Sequence, residues 1–104
     1  MIPKTLRFGG VFYKITYPAK VKGGKLAGRC DHDKALIEVS QEQAGDMQKS
    51  TLLHESLHAA AHHIDWSVTE KTIVKMEKML MALIRDNPGF IKWLLQKDKE
   101  ERVL

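Results

Sequence analysis

The spacing of apolar residues changes once along this chain, near Ser40, and that change limits the folds open to it. Before Ser40, Val11, Tyr13, Ile15 and Tyr17 alternate with Phe12, Lys14 and Thr16, the period of two expected of a strand with one buried face. Gly9-Gly10 separates that run from Thr5-Leu6-Arg7-Phe8 and readily takes the positive φ angles of a tight hairpin turn. Pro18 ends the run, and Lys20 to Lys25, with Gly23-Gly24 inside it, reads as a flexible loop. A second hairpin follows, Leu26 to Cys30 and Ala35 to Val39 about a turn through Asp31-His32-Asp33-Lys34. Residues 1–40 are therefore expected to form a small antiparallel sheet of hairpins.

After Ser40 the period is helical. Leu53, Leu57, Ala60 and Ile64 form a narrow apolar stripe and predict a helix from about Asp46 to about Asp65. A second helix is expected from about Thr69 to Arg85, with Ile73, Met76, Leu80, Leu83 and Ile84 on its buried side. Asn87-Pro88 closes it and can also start a third helix, Asn as N-cap and Pro at the first helical position, burying Phe90, Trp93 and Leu94. Residues 46–97 thus read as helices and 98–104, of mixed charge, as a frayed tail. Strands first and helices after define an α+β layout, and 104 residues suffice for one domain around one core.

Composition removes several classes of function. The longest apolar run, Met79 to Ile84, is far too short to cross a bilayer, so no membrane partner is expected. The first residues lack the apolar stretch of a secretory signal, and Cys30 is the only cysteine, which excludes an intrachain disulfide and any zinc site built from several thiolates. A cytoplasmic location is the expectation. Residues 1–34 carry a net +6 and the remainder −2, an asymmetry that can mark a nucleic-acid surface. Basic residues guarding strand edges explain it without one, and no nucleic-acid motif accompanies it.

The chemistry concentrates in His54-Glu55-Ser56-Leu57-His58, an H-E-x-x-H pattern inside the first expected helix. Residues four apart lie one turn above each other, about 40° apart around the axis, so both imidazoles can reach one zinc ion. Glu55 points about 100° from His54 and is free to act as general base, taking a proton from a water on the metal and passing it to the leaving amine. The structural alternative is a helix carrying two satisfied histidines for no chemical reason.

A catalytic zinc needs a third protein ligand. The metzincin pattern would require Gly at 61 and His at 64, where this chain has Ala61 and Ile64. Glu70, in the first turn of the second helix, returns over the histidines if the two helices pack antiparallel. Ser67 to Glu70 also reads as a capping box, with Glu70 bonding back to the Ser67 amide. Glu77 is the rival ligand, and Asp65 or a spare histidine could ligate or support the site. His62 reads as a partly exposed helix histidine with an oxyanion donor as its functional alternative, and Tyr13 and Tyr17 as core tyrosines with the same alternative. His32 reads as a turn residue. Cys30 reads as a small buried side chain, or as a fourth ligand holding the zinc latent. Ala59-Ala60-Ala61 permits close helix approach, and Ala35 to Val39 is a candidate sheet edge for an extended peptide.

Thr51 to Ala59, Val68-Thr69-Glu70, Arg85 to Pro88 with Trp93-Leu94, and the hairpin from Gly28 to Val39 together resemble the small gluzincin-type metallopeptidases. These are the minigluzincin and ImmA/IrrE-like proteins common in prophages and mobile elements. The resemblance implies a minimal zincin-like domain with His54, His58 and Glu70 as zinc ligands and Glu55 as catalytic base. It implies a protein or peptide as substrate, cleaved through a zinc-bound water. The competing expectations are a non-catalytic zinc-stabilised binding module and, further off, a nucleic-acid binder using the basic N-terminal half.

Overall fold

The computed structural model describes residues 2–97. Strands β1 (Thr5–Phe8), β2 (Val11–Thr16), β3 (Gly28–Asp31) and β4 (Leu36–Val39) precede helices α1 (Gly45–His63), α2 (Glu70–Asp86) and α3 (Pro88–Leu95). The layout is α+β, as the change of period at Ser40 predicts. The expected tail at 98–104 lies outside the described residues.

The sheet is mixed, and here the expectation of an antiparallel sheet is corrected. Its order is β1-β2-β4-β3, with β2 and β4 parallel and the two hairpin pairings antiparallel. Side-chain burial explains the arrangement. Ile37 and Val39 are the most completely buried residues of the sheet, so β4 takes an interior position beside Tyr13 and Ile15 of β2. β3 carries Arg29 and Asp31, which suit an edge. Arg29 lies opposite Glu38 of β4 and forms an ion pair with it. The edge nearest the helices is therefore β3 and not the segment Ala35 to Val39.

The loop expected to be flexible has a defined shape. Val21 is buried and bridges to Leu26, and a 3-10 turn at Lys22–Gly24 carries positive φ at Lys22, Gly23 and Gly24.

On α1 the buried residues are Thr51, Glu55, Ala59 and Ala61, while Leu53, Leu57 and Ala60 are half-buried and Ile64 is exposed. The apolar stripe thus marks a flank of the helix, and the spacing 51-55-59 marks the face turned inward. Ala59 joins the core of Tyr13, Ile15, Ile37 and Val39. Gly28 is where β3 and α1 come closest. A Cβ there would lie 2.6 Å from Thr51 Cγ2 and 2.8 Å from the Glu38 carbonyl oxygen.

α1 stops in a Schellman turn. The Trp66 amide donates to the Ala61 carbonyl and the Asp65 amide to that of His62, with Asp65 left-handed at φ 57°. α2 begins at an N-cap by Thr69, whose hydroxyl accepts from the Thr72 amide. Glu70 is then the first helical residue, so the capping box from Ser67 does not form. Ile73 is buried on α2 and Met76 and Leu80 are half-buried, but Leu83 and Ile84 are exposed. α3 starts at Asn87-Pro88 as expected, yet Phe90, Trp93 and Leu94 are exposed rather than buried, Trp93 to 66%. The helix packs on α2, beyond reach of the sheet core.

Two substitutions test this description by thermal or urea melts. Gly28→Ala should destabilise by about 1–3 kcal/mol, because the added methyl meets backbone and a packed threonine, whereas Gly89→Ala, with open space at its Cβ position, should be neutral or slightly stabilising. Asp65→Gly should stabilise by about 0.5–1 kcal/mol, relieving a left-handed residue that also puts negative charge at a helix C-terminus.

Candidate metal centre

The site is built where the inward turn of α1, the first turns of α2 and the edge strand β3 meet. His54 and His58 stand one turn apart on α1 with ring centroids 5.1 Å apart. Both present Nε2 to the same carboxylate. Glu70 Oε1 contacts His54 Nε2, and Glu70 Oε2 lies 2.8 Å from His58 Nε2. One ligand atom from each of the three residues falls within 4.8 Å of the other two. Glu70 can make this contact because Thr69, not Ser67, caps α2, which leaves the Glu70 side chain free to reach α1.

Glu77 occupies a different position. Its Oε1 lies 3.0 Å from Nδ1 of His54, the ring atom opposite the shared cluster, and its side chain is only 18% exposed against 64% for Glu70. Glu77, the rival to Glu70 on spacing alone, thus meets His54 on the side of the ring away from the cluster. A carboxylate on the far nitrogen fixes the tautomer and rotation of a metal-binding imidazole. The spacing 70-77, two turns on one helix face, held that signal.

The surroundings of His54 bear on whether a metal could sit here. Its two ring nitrogens each face a carboxylate, Glu77 at Nδ1 and Glu70 at Nε2. A neutral imidazole has one N–H and can satisfy only one of them as donor. A cation among His54, His58 and Glu70 suits this arrangement, since both Nε2 atoms and the Glu70 carboxylate can offer it electron pairs while Nδ1 of His54 donates to Glu77. Two imidazole nitrogens and one carboxylate suit zinc among the common divalent ions. The residues present fit the group.

Asp65 and Cys30 are not part of the cluster. Asp65 sits in the turn after α1, and no fourth ligand atom joins the three among the described residues. Cys30 is half-buried on β3, and its thiol is pushed up to about 12 by burial first, then by the charges of Glu55 and Asp31. Its sulfur does not join the ligand atoms that His54, His58 and Glu70 bring together among the described residues.

Glu55 lies between the helix and β3. It is buried as a residue, yet it borders the open space above the histidines together with Gly28, Arg29, Cys30 and His32. Burial raises its carboxyl above the ordinary 4.5; the neighbouring His54 and His58 pull it down, and Glu70 and Glu77 raise it again. The net effect is a carboxyl held above its ordinary value, which makes Glu55 a better proton acceptor than a solvent-exposed glutamate. The alanines after the motif do what small residues permit, with Ala59 and Ala61 buried where α1 meets its neighbours.

The remaining candidates fall into place around this cleft. Tyr17 donates to the Pro3 carbonyl at 2.5 Å and is turned toward the N-terminal segment. Tyr13 is buried, with its hydroxyl 3.1 Å from Nδ1 of His32. His62 is exposed, as expected, and its ring stacks on that of His32 at 4.1 Å. His32, read from the sequence as a turn residue only, is thus tied into the wall of the cleft. No helix among the described residues is long and apolar enough to cross a membrane.

Comparison of the chain with family models, with curated proteins and with solved structures returns no match.

The raised carboxyl of Glu55 has a consequence for stability. As pH rises past 4.5 the unfolded chain loses this proton first, so ionisation favours unfolding until the folded group also titrates. In metal-free protein Glu55→Gln should therefore melt above wild type at neutral pH, and the gap should close below pH 4.5. Equal melting temperatures at neutral pH would contradict the burial of this charge.

Proposed function

We propose that this protein is a zinc-dependent metallopeptidase of the small gluzincin type, akin to the ImmA/IrrE-like proteins of phages and mobile elements. In this reading His54, His58 and Glu70 hold the ion and Glu55 is the general base. The observation that carries it is the convergence of two Nε2 atoms and both Glu70 oxygens on one point, with Glu77 behind His54 and a buried carboxylate beside them. A structural pair of histidines has no need of a second carboxylate on the far nitrogen or of an ionisable group sunk next to the pair. The single half-buried thiol is consistent with a cytoplasmic setting.

Zinc bound there supplies a Lewis acid that acidifies water and polarises a peptide carbonyl. The chain's own residues do the rest. Glu55 takes a proton from the attacking water and returns it to the departing amine, a task suited to a carboxyl whose burial raises it above the ordinary value. Glu77 keeps the His54 ring in the rotation that offers Nε2 to the ion. β3 borders the cleft and is the outermost strand on that side of the sheet. An extended protein segment can pair with its free edge, bringing a backbone amide over the histidines.

Metal content and cleavage of a casein or peptide library decide the matter together. Wild type should bind one zinc per chain. Glu70→Ala should lose tight binding, and Glu77→Ala should weaken it about 10–100-fold. Glu55→Gln should keep zinc and lose about 10²–10⁴-fold in cleavage rate. A wild type that takes up no zinc, or a Glu55→Gln variant that cleaves as wild type does, overturns the proposal. Zinc uptake that raises the melting temperature, with no cleavage by wild type, would instead favour a zinc-stabilised binding module, for which the cluster's bridging of α1 and α2 is the supporting feature.

A further inference from the structure

We propose that His32 is a further catalytic residue of this cleft, its Nε2–H donating a hydrogen bond to the oxyanion that a peptide carbonyl becomes when water adds to it. Tyr13 is the positioning residue that makes it a donor. The inference rests on the peptidase reading above and adds a residue to it.

His32 opens the turn after β3 and borders the same space as His54, Glu55, His58 and Glu70. Nothing in a turn requires an imidazole. The turn itself is closed by other groups, the Lys34 amide donating to the Asp31 carboxylate and the Ala35 amide to the His32 carbonyl. The ring is nevertheless held at three points. Its Nδ1 lies 3.1 Å from the Tyr13 hydroxyl and 3.6 Å from Cys30 Sγ, and its face lies against His62 of α1 with the planes 6° apart. Tyr13 is fixed in turn within the core, edge-on to Phe8 at 5.9 Å.

These contacts select a tautomer. The phenol and the thiol both carry a hydrogen, and burial raises the pKa of each, so both remain donors. Nδ1 of His32 is the partner of the buried Tyr13 hydroxyl, and a phenol is the stronger donor of the two groups. Its O–H takes the single Nδ1 lone pair, and the ring proton of a neutral imidazole then sits on Nε2. The ring is kept neutral by burial and by the nearby His62 and His58, against the opposite pull of Asp31 and Asp33. The result is an uncharged N–H donor of fixed orientation at the wall of the cleft.

The reaction needs such a donor. When water adds to the carbonyl carbon, the new C–O bond forms, the π pair moves onto the carbonyl oxygen and the water proton goes to Glu55. A preorganised donor at that oxygen stabilises the transition state more than the ground state, and removal of one such donor typically costs about 10²–10³-fold in rate. Of the basic N-terminal half, Arg29 also borders the cleft, but its Nε is engaged by Glu38 of β4.

Three measurements test the assignment. In metal-free protein, imidazole ¹⁵N NMR should show His32 protonated at Nε2 and bare at Nδ1, with the preference lost in Tyr13→Phe. A proton on Nδ1 of wild type overturns the proposal. With zinc loaded, His32→Ala should bind a phosphinic peptide, a mimic of the tetrahedral oxyanion, about 10–100-fold more weakly. The same variant should bind a mercaptoacyl peptide of equal side chains as wild type does. Equal loss for both probes, or for neither, overturns it.

In turnover, His32→Ala should lower kcat about 10²–10³-fold with KM and zinc content unchanged. His32→Gln should recover part of that loss through its amide N–H, and Tyr13→Phe should fall between the two. His32→Ala turning over as wild type does while Glu55→Gln is inactive overturns the proposal alone. Failure of wild type to cleave any peptide overturns the peptidase reading, and the role of His32 with it.

Discussion

The closeness of β3 to α1 is the constraint on which the rest depends. At Gly28 the Thr51 and Glu55 side chains of the helix press so close on the strand that even a methyl group on the strand would collide. That contact puts Glu55 under the edge of the sheet, where burial works on its carboxyl, and sets Arg29, Cys30 and His32 along one wall of the cleft. It also explains why the inward face of α1 is not the apolar one. A helix pressed against a strand at a glycine has room there for Thr51, Glu55 and Ala59, and the larger leucines are displaced to the flanks.

Opposite that wall, α2 contributes two glutamates with distinct tasks. Glu70 is exposed and meets both Nε2 atoms, whereas Glu77 is sheltered and meets one Nδ1. The two carboxylates bracket the His54 ring along its donor–acceptor axis, an arrangement that makes sense electrostatically with a cation at one end.

Much of this was legible from residue spacing, and the exceptions have definite causes. The change of period at Ser40 places all four strands and all three helices to within a few residues. Local spacing carries no information on which hairpin edge meets which, so the parallel pairing of β2 with β4 could not be read from it. The H-E-x-x-H spacing and the return of Glu70 depend only on helix geometry and a short connection, and the structure brings those residues together. The role of Glu77 required knowing which ring nitrogen it faces. His32 was invisible because its significance arises from Tyr13, distant in sequence and joined to it only through the sheet. The helix α3 shows the reverse failure: Phe90, Trp93 and Leu94 are apolar at helical spacing, yet no neighbouring layer of the described residues covers them.

The mixed sheet carries a kinetic implication. Each hairpin can close locally, but β2 and β4 pair only once the second hairpin swings round to insert β4 between β2 and β3. Long-range registration of this kind is a slow step in chain collapse. The three candidate ligands are drawn from α1 and α2, and the cleft wall from β3, so the centre matures after that docking event. On the proposed reading, uptake of a divalent ion during refolding would then be a clock for tertiary assembly, lagging the far-ultraviolet signal of the helices themselves.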